Sequence, residues 1–187
     1  SSSTKRVEVV CTISPGDITF SREFTLLPDT TRNIVFNVRN EKLLRISNPQ
    51  LWWPNGLGKP NLYSCKIDVK ENGKLSDSKV FNFGIREYNY HTEQNNVFHV
   101  YVNGEKIFLK GGNWGMSEYL LRCRGEEYFT KIKLHKDMNF NIIRNWMGSV
   151  TDKEFYEACD KYGIMIWDDF WLNSKFGVPE FPDDFNK

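Results

Sequence analysis

Histidine is scarce in this chain, cysteine is scattered, and no apolar run is long. The four cysteines (Cys11, Cys65, Cys123, Cys159) form no CxxC, and with the three histidines they make no cluster of zinc-ligand spacing, so no metal centre is expected. Free thiols at these positions behave as small hydrophobes, and so few cysteines leave the compartment open. An excess of one charge sign is missing too: 25 Lys+Arg against 24 Asp+Glu gives a net charge of +1. That balance gives no reason to expect nucleic acid or an anionic membrane as partner. The longest apolar stretches, such as IMIW at 164–167, fall far short of the ~20 residues of a membrane span. SSSTKRVEVV at the start lacks the apolar region of a signal peptide and reads as an abrupt cut into a strand. Neither GxGxxG nor a P-loop occurs, which removes support for a nucleotide cofactor, and no cofactor is expected.

What is present divides by period. From residue 5 to about 88, short alternating segments are broken by turns: RVEVVCTI, DITFSREFTLL, RNIVFNVR, LYSCKIDVK and KVFNFGIREY. Tyr63, Cys65, Ile67 and Val69 alternate with polar residues, as a half-buried strand requires. ENGK at 71–74 is a hairpin signal, since Asn and Gly tolerate positive φ. About seven strands without a helical period predict an immunoglobulin-like antiparallel β-sandwich over residues 1–88. The Cys…Trp…Cys spacing of an antibody-like domain is missing.

A second hairpin turns at Asn103-Gly104, and the period then changes. Tyr128, Phe129, Ile132, His135 and Met138 share one helical face, with Asn139 as a cap. NIIRNW reads as a buried strand. Thr151-Asp152-Lys153-Glu154 has the form of a capping box opening a helix whose apolar face is Phe155, Ala158, Cys159 and Tyr162 and which ends at Gly163. IMIW follows as another buried strand. Strand, helix, strand, helix, strand predicts a parallel sheet with packed helices over residues 89–187, an order that suits doubly wound sheets and (β/α)8 barrels alike.

At these residues the chain resembles glycoside hydrolase family 2. LWWPNGLGKPNLYSCKIDV and FGIRE are similar to the end of that family's sandwich, and VNGEKIFLKGGNW to the lead-in to its first barrel strand. NFNIIRNW…FYEACDKYGIMIWDDF resembles its first signature. The β-galactosidase-like branch has a His-Tyr-Pro-type sequence after the arginine, where Asn145-Trp146-Met147-Gly148 stands here. Arg-x-Trp-x-Gly with GGNW upstream is more similar to the β-mannosidase, endo-β-mannosidase and exo-β-glucosaminidase branch. Met147 replaces a second glycine of many mannosidases, which leaves the sugar open. The resemblance implies a β-sandwich followed by about three strands and two helices of a (β/α)8 barrel, with a β-linked glycan as substrate.

IMIWDDFW places two carboxylates between tryptophans, which invites reading Asp168 and Asp169 as a catalytic pair. Neighbours on a strand point to opposite faces, whereas a retaining glycosidase holds its carboxyls about 5–5.5 Å apart across one sugar. The pair is therefore not the dyad. A (β/α)8 barrel takes roughly 31 residues per unit, so residues 106–187 suffice for between two and three units. In the resembled family the acid/base and nucleophile glutamates follow strands 4 and 7. Both are expected beyond residue 187, with no catalytic residue inside the chain and no hydrolysis by it alone.

Barrel sites lie at strand C-terminal ends. The resemblance therefore implies substrate-binding roles for Asn113 and Trp114 after strand 1, Arg144 and Trp146 after strand 2, and Asp168 after strand 3, with Glu118 where mannosidases carry a hydroxyl-binding Asp. Arg144 is expected in a largely buried site, pairing with catalytic carboxylates or with a structural one. Trp146 reads as a sugar platform or as core, and Glu118 as a ligand or a solvated loop carboxylate. One of Asp168 and Asp169 is expected to face the site or an arginine while the other caps backbone N–H groups. Trp52 and Trp53 are expected to pack between sandwich and barrel rather than to form a sugar platform, and the histidines to be surface or packing residues. The free strand edge of a three-stranded parallel sheet predicts self-association. A non-catalytic carbohydrate-binding or structural sandwich module is the alternative reading.

Overall fold

The computed structural model describes residues 3–92, 97–115, 123–146, 150 and 152–169. The chain forms two compact units, residues 1–51 with 61–85, and residues 52–60 with 86–187.

The first unit is built on an antiparallel sheet ordered β2-β1-β3-β4, from β1 (Lys5–Ser14), β2 (Ile18–Leu26), β3 (Tyr63–Glu71) and β4 (Lys74–Phe83). Alternation drives Cys11 and Ile13 of β1, Phe20 of β2, and Tyr63 and Cys65 of β3 into one core. Phe36, Leu44 and Ile46 pack onto it from the segment between β2 and β3, with Phe20 and Phe36 edge-on at 5.0 Å. This β-rich unit is consistent with a sandwich, but its second layer departs from the expected strand. RNIVFNVR joins no ladder, and four strands rather than about seven form before residue 88 among the described residues. The cause is local. Asn37 Oδ1 accepts from the Arg39 N–H at 2.9 Å, Asn40 Oδ1 accepts from the Asn37 N–H at 2.9 Å, and Asn40 Nδ2 donates to the Val35 carbonyl at 2.8 Å. These amides give the backbone a turn in place of a strand partner. The β3–β4 hairpin forms as read, with φ of 48° at Asn72 and 80° at Gly73.

The second unit holds an antiparallel sheet, β5 (Tyr88–Thr92), β6 (Phe98–Val102) and β7 (Glu105–Ile107), turning at Asn103-Gly104. After it come β8 (Gly111–Trp114), α1 (Glu126–Asp137), β9 (Ile142–Asn145), α2 (Lys153–Tyr162) and β10 (Met165–Asp168). The last three strands make a parallel sheet ordered β10-β9-β8. Tyr128 and Ile132 of α1 and Phe155, Ala158 and Cys159 of α2 are buried with Ile143, Ile164 and Trp114. Met138, expected on the buried face of α1, is the exposed C-cap, and Asn139 follows it with φ of 62°. Asp152 is the N-cap of α2 and its carboxylate is turned away, to Arg124 Nη1 and the Tyr128 hydroxyl, each at 2.9 Å. The expected capping box rests on Thr151, which lies outside the described residues. Gly163 ends the helix at φ of 74°.

Residues 52–60, placed by sequence pattern within residues 1–88, pack with the second unit. Trp52 is buried and donates its indole N–H to the Asp160 carbonyl at 2.7 Å, while the Arg86 guanidinium lies 4.4 Å over its ring and pairs with the Asp160 carboxylate at 3.0 Å. Asn55 Nδ2 donates to the carbonyls of Lys136 and Phe140, both at 2.9 Å, and so satisfies the end of α1. Its N–H donates to the Gly163 carbonyl at 2.7 Å, and a Cβ on Gly163 would stand 3.0 Å from that nitrogen. None of these partners is legible from periodicity.

Candidate functional site

Register decides which residues meet. Across the parallel sheet Asn113, Arg144 and Trp167 lie in one row, and Trp114, Asn145 and Asp168 in the next. Successive rows point to opposite faces. The second row faces the helices: Trp114 is buried against Tyr128 and Phe155, and Asn145 is 0% exposed. The first row therefore faces away from them, at the C-terminal ends of the strands. Below it on the same face lie Gly111, Ile142 and Met165.

Arg144 and Asp169 form a two-pronged pair, Nε to Oδ1 at 3.1 Å and Nη2 to Oδ2 at 2.7 Å. Asp169 raises the Arg144 pKa above its usual value, chiefly through these hydrogen bonds. The Arg144 side chain keeps 47% of its surface exposed, in contrast to the buried setting expected for it, because it points away from the helices that bury its neighbour Asn145. Trp146 follows directly and is 50% exposed, while Trp167 has its edge against Phe98 with centroids 5.7 Å apart. An arginine, an amide and flat apolar rings converging on one exposed strand end can grip a carboxylate or hydroxyls and stack on a pyranose.

The two adjacent aspartates part as strand alternation requires. Asp169 takes the arginine. Asp168 turns to the helix side, where Oδ1 accepts from Asn145 Nδ2 at 2.7 Å and Oδ2 from the Tyr156 hydroxyl at 2.8 Å. Burial, and then the bond to Asp168, push the Tyr156 phenol up to about 12. Of the residues read from sequence, the structure thus brings Asn113, Arg144 and Trp146 to the exposed strand end. Trp114 and Asp168 stand on the opposite face, and Glu118 lies outside the described residues. Asp169 and Trp167 join the exposed group. Alternation alone could have placed Trp167 with Arg144 once the register was known.

Sequence reading also missed two buried amides. Asn141 Oδ1 accepts from the Lys110 N–H at 2.8 Å and its Nδ2 donates to the Phe108 carbonyl at 2.9 Å, tying the strand-1 lead-in to β9. Asn145 is the second. A groove of about 740 Å³ runs along the free edge of β10, lined by Tyr88, Tyr90, Phe98 and Val100 with residues 164–168. It is mostly apolar, and among the predicted site residues it takes in Asp168 alone. The histidines serve packing: His91 and His99 sit opposite one another on β5 and β6, and His135 lies 5.5 Å from the Trp114 ring. Among the described residues no group of three His, Cys, Asp or Glu gathers as for a metal ion, and no helix is long and apolar enough to cross a membrane.

Residues 2–86 match the family model described as Glycosyl hydrolases family 2. The chain is 43% identical over 128 residues to a mannosylglycoprotein endo-beta-mannosidase of Lilium longiflorum, covering 66% of this chain and 13% of that protein. It is 30% identical over 167 residues to a beta-mannosidase B of Aspergillus oryzae, covering 87% of this chain and 18% of that one. Among solved structures, the exo-chitosanase of Amycolatopsis orientalis superposes with a TM-score of 0.78 at 20% identity, over 92% of this chain and 19% of that one. The chain thus spans less than a fifth of the length of each of these three proteins. The family match, the identities and the shared fold agree, and the chain belongs to glycosyl hydrolases family 2.

Proposed function

We propose that residues 1–187 supply the sandwich and the first βα units of the (β/α)8 barrel of a retaining β-glycosidase, whose substrate is a β-mannoside or a related β-linked hexoside. The observation that carries this reading is the group of Asn113, Arg144, Asp169 and Trp146 at the C-terminal ends of three parallel strands, where barrel enzymes hold substrate. The mannosidase and glucosaminidase names of the relatives point to the same sugar class.

In this role Trp146 offers an apolar face to the sugar ring and Asn113 hydrogen-bonds hydroxyls. Arg144, held by Asp169, orients the acid/base or nucleophile carboxylate. Those two glutamates come from outside residues 1–187, so these residues alone perform no hydrolysis. Trp114 and Asp168 support the site from the helix side. All six tryptophans lie outside the first unit, which leaves a separate glycan-binding sandwich without its best stacking residue.

The experiment is hydrolysis of p-nitrophenyl β-mannoside and β-glucosaminide by residues 1–187 and by a protein that carries them through a whole barrel. Turnover is expected only from the second, lowered at least about 100-fold by Arg144→Ala, as for loss of a group that acts in the transition state. Turnover by residues 1–187, abolished by a substitution within them, would overturn the reading.

A further inference from the structure

Asn145 was assigned no task by sequence, yet it is fully buried and uses both ends of its amide. Oδ1 accepts from the Val150 N–H at 3.1 Å. Nδ2 donates to the Val150 carbonyl at 2.8 Å and to Asp168 Oδ1 at 2.7 Å. A side chain that holds both backbone groups of Val150 fixes that residue against the end of β9. Trp146 follows Asn145 directly, and Arg144 precedes it.

Tyr156 of α2 and Asp168 of β10 complete the set of bonds around Asn145 and Val150. The Tyr156 hydroxyl has one proton, given to Asp168 Oδ2 at 2.8 Å, with the Val150 carbonyl at 3.3 Å as its other acceptor. The chain of bonds runs Val150, Asn145, Asp168, Tyr156, and three elements enter it: β9, α2 and β10. Such a network fixes a geometry more firmly than its separate bonds, since each member is oriented by the next. Trp146 is half exposed, so half of its surface has no packing to fix the ring.

We infer that Asn145, Asp168 and Tyr156 are positioning residues that set the orientation of Trp146 beside Arg144, and through it how tightly the sugar ring is held. The inference about sugar affinity rests on the glycosidase reading above, whereas the orientation of Trp146 does not. It also gives Asp168 a different task from direct contact with substrate: its carboxylate already serves the helix side.

The test has two arms. In the first, indole N–H resonances of the chain are recorded for Asn145→Ala and for the milder Tyr156→Phe, which removes one oxygen. Trp146 is assigned through Trp146→Phe. The Trp146 signal is expected to move or broaden while the signal of Trp52, which is buried against Asp160 and away from the substituted residues, stays, and this also certifies the fold. If Asn145→Ala fails to fold, Tyr156→Phe decides. A Trp146 signal unmoved in a folded variant overturns the inference. In the second arm, Tyr156→Phe is placed in a protein carrying the whole barrel. KM for a β-mannoside is expected to rise about tenfold with kcat within about threefold, the pattern of lost uniform binding. An unchanged KM in an active protein overturns the affinity claim. Absence of glycosidase activity in the unsubstituted protein would sink the proposed function, and the resonance arm would still decide the positioning role.

Discussion

Replacing Asn141 by alanine isolates what a buried amide contributes to this sheet. Asn141 is 2% exposed and joins two backbone groups of the strand-1 lead-in, the Lys110 N–H and the Phe108 carbonyl. Alanine removes both bonds and leaves both partners without the amide. A net hydrogen bond contributes about 0.5–1.5 kcal/mol, and a stranded buried group costs about 1–3 kcal/mol. A lost bond and a stranded partner describe the same change in part, so the two costs are not added in full. The expected loss is about 2–4 kcal/mol. All six tryptophans belong to the second unit, so intrinsic fluorescence during urea unfolding reads that unit alone. With a slope near 2 kcal/mol/M the fluorescence midpoint should fall by about 1–2 M. Asn141→Asp keeps the acceptor but sets a carboxylate against the Phe108 carbonyl. It should be at least as unstable at neutral pH and recover as acid protonates it into a donor. A fluorescence midpoint within about 0.3 M of the unsubstituted chain, in a folded Asn141→Ala protein, would refute this account.

Gly111→Ala should be severe, because the added Cβ would collide with the backbone carbonyl oxygen of Ile142. A loss above about 3 kcal/mol is expected, and an unchanged melting temperature would contradict it. Tyr128 and Tyr156 are both pushed up to about 12, each chiefly by burial and then by a carboxylate partner. Their folded pKa exceeds the unfolded value of about 10, so their contribution is whole below pH 10 and is lost as pH climbs towards 12. Phenolate absorbance should show Tyr128 and Tyr156 titrating late, together with loss of the native fluorescence. Simultaneous titration of all eight tyrosines in a folded chain would contradict this. The four cysteines are free and buried, so an aromatic disulfide reagent should react slowly with the native chain and with four thiols after unfolding without reductant. Fewer than four would reveal a bridge. The edge of β10, which pairs with no further strand among the described residues, should make residues 1–187 associate, seen as a sedimentation coefficient rising with concentration. A concentration-independent monomer would argue against it.

Much of the second unit could be read from period and punctuation. Asn103-Gly104 turned, Gly163 stopped α2, and NIIR and IMIW became parallel strands. Those features are local, and each is settled by a few neighbouring residues. RNIVFNVR failed as a strand because its alternation is genuine but its asparagines offered the backbone nearer partners. Trp52 fell within residues 1–88 by pattern and was expected to pack, but its particular partner could not be read, because the Asp160 carbonyl lies 108 residues away, beyond any window of periodicity. At the candidate site, alternation was enough to split Asp168 from Asp169. It could not say which faced the helices, because that depends on the register with β9. Asn141 and Asn145 escaped notice for a related reason: a polar residue in a strand reads as solvent-facing until its partners are seen.

The path of the chain, out of the first unit at Trp52 and back into it at Asn61, has a consequence for biosynthesis. The Asp160 carbonyl that receives the Trp52 indole is translated 108 residues later. At about 5–20 residues per second, the LWWPNG segment waits roughly 5–20 s outside the ribosome without its native partner. Over that interval two adjacent indoles are open to any chaperone or neighbouring nascent chain, and slowing elongation between codons 60 and 160 should lengthen the window in proportion.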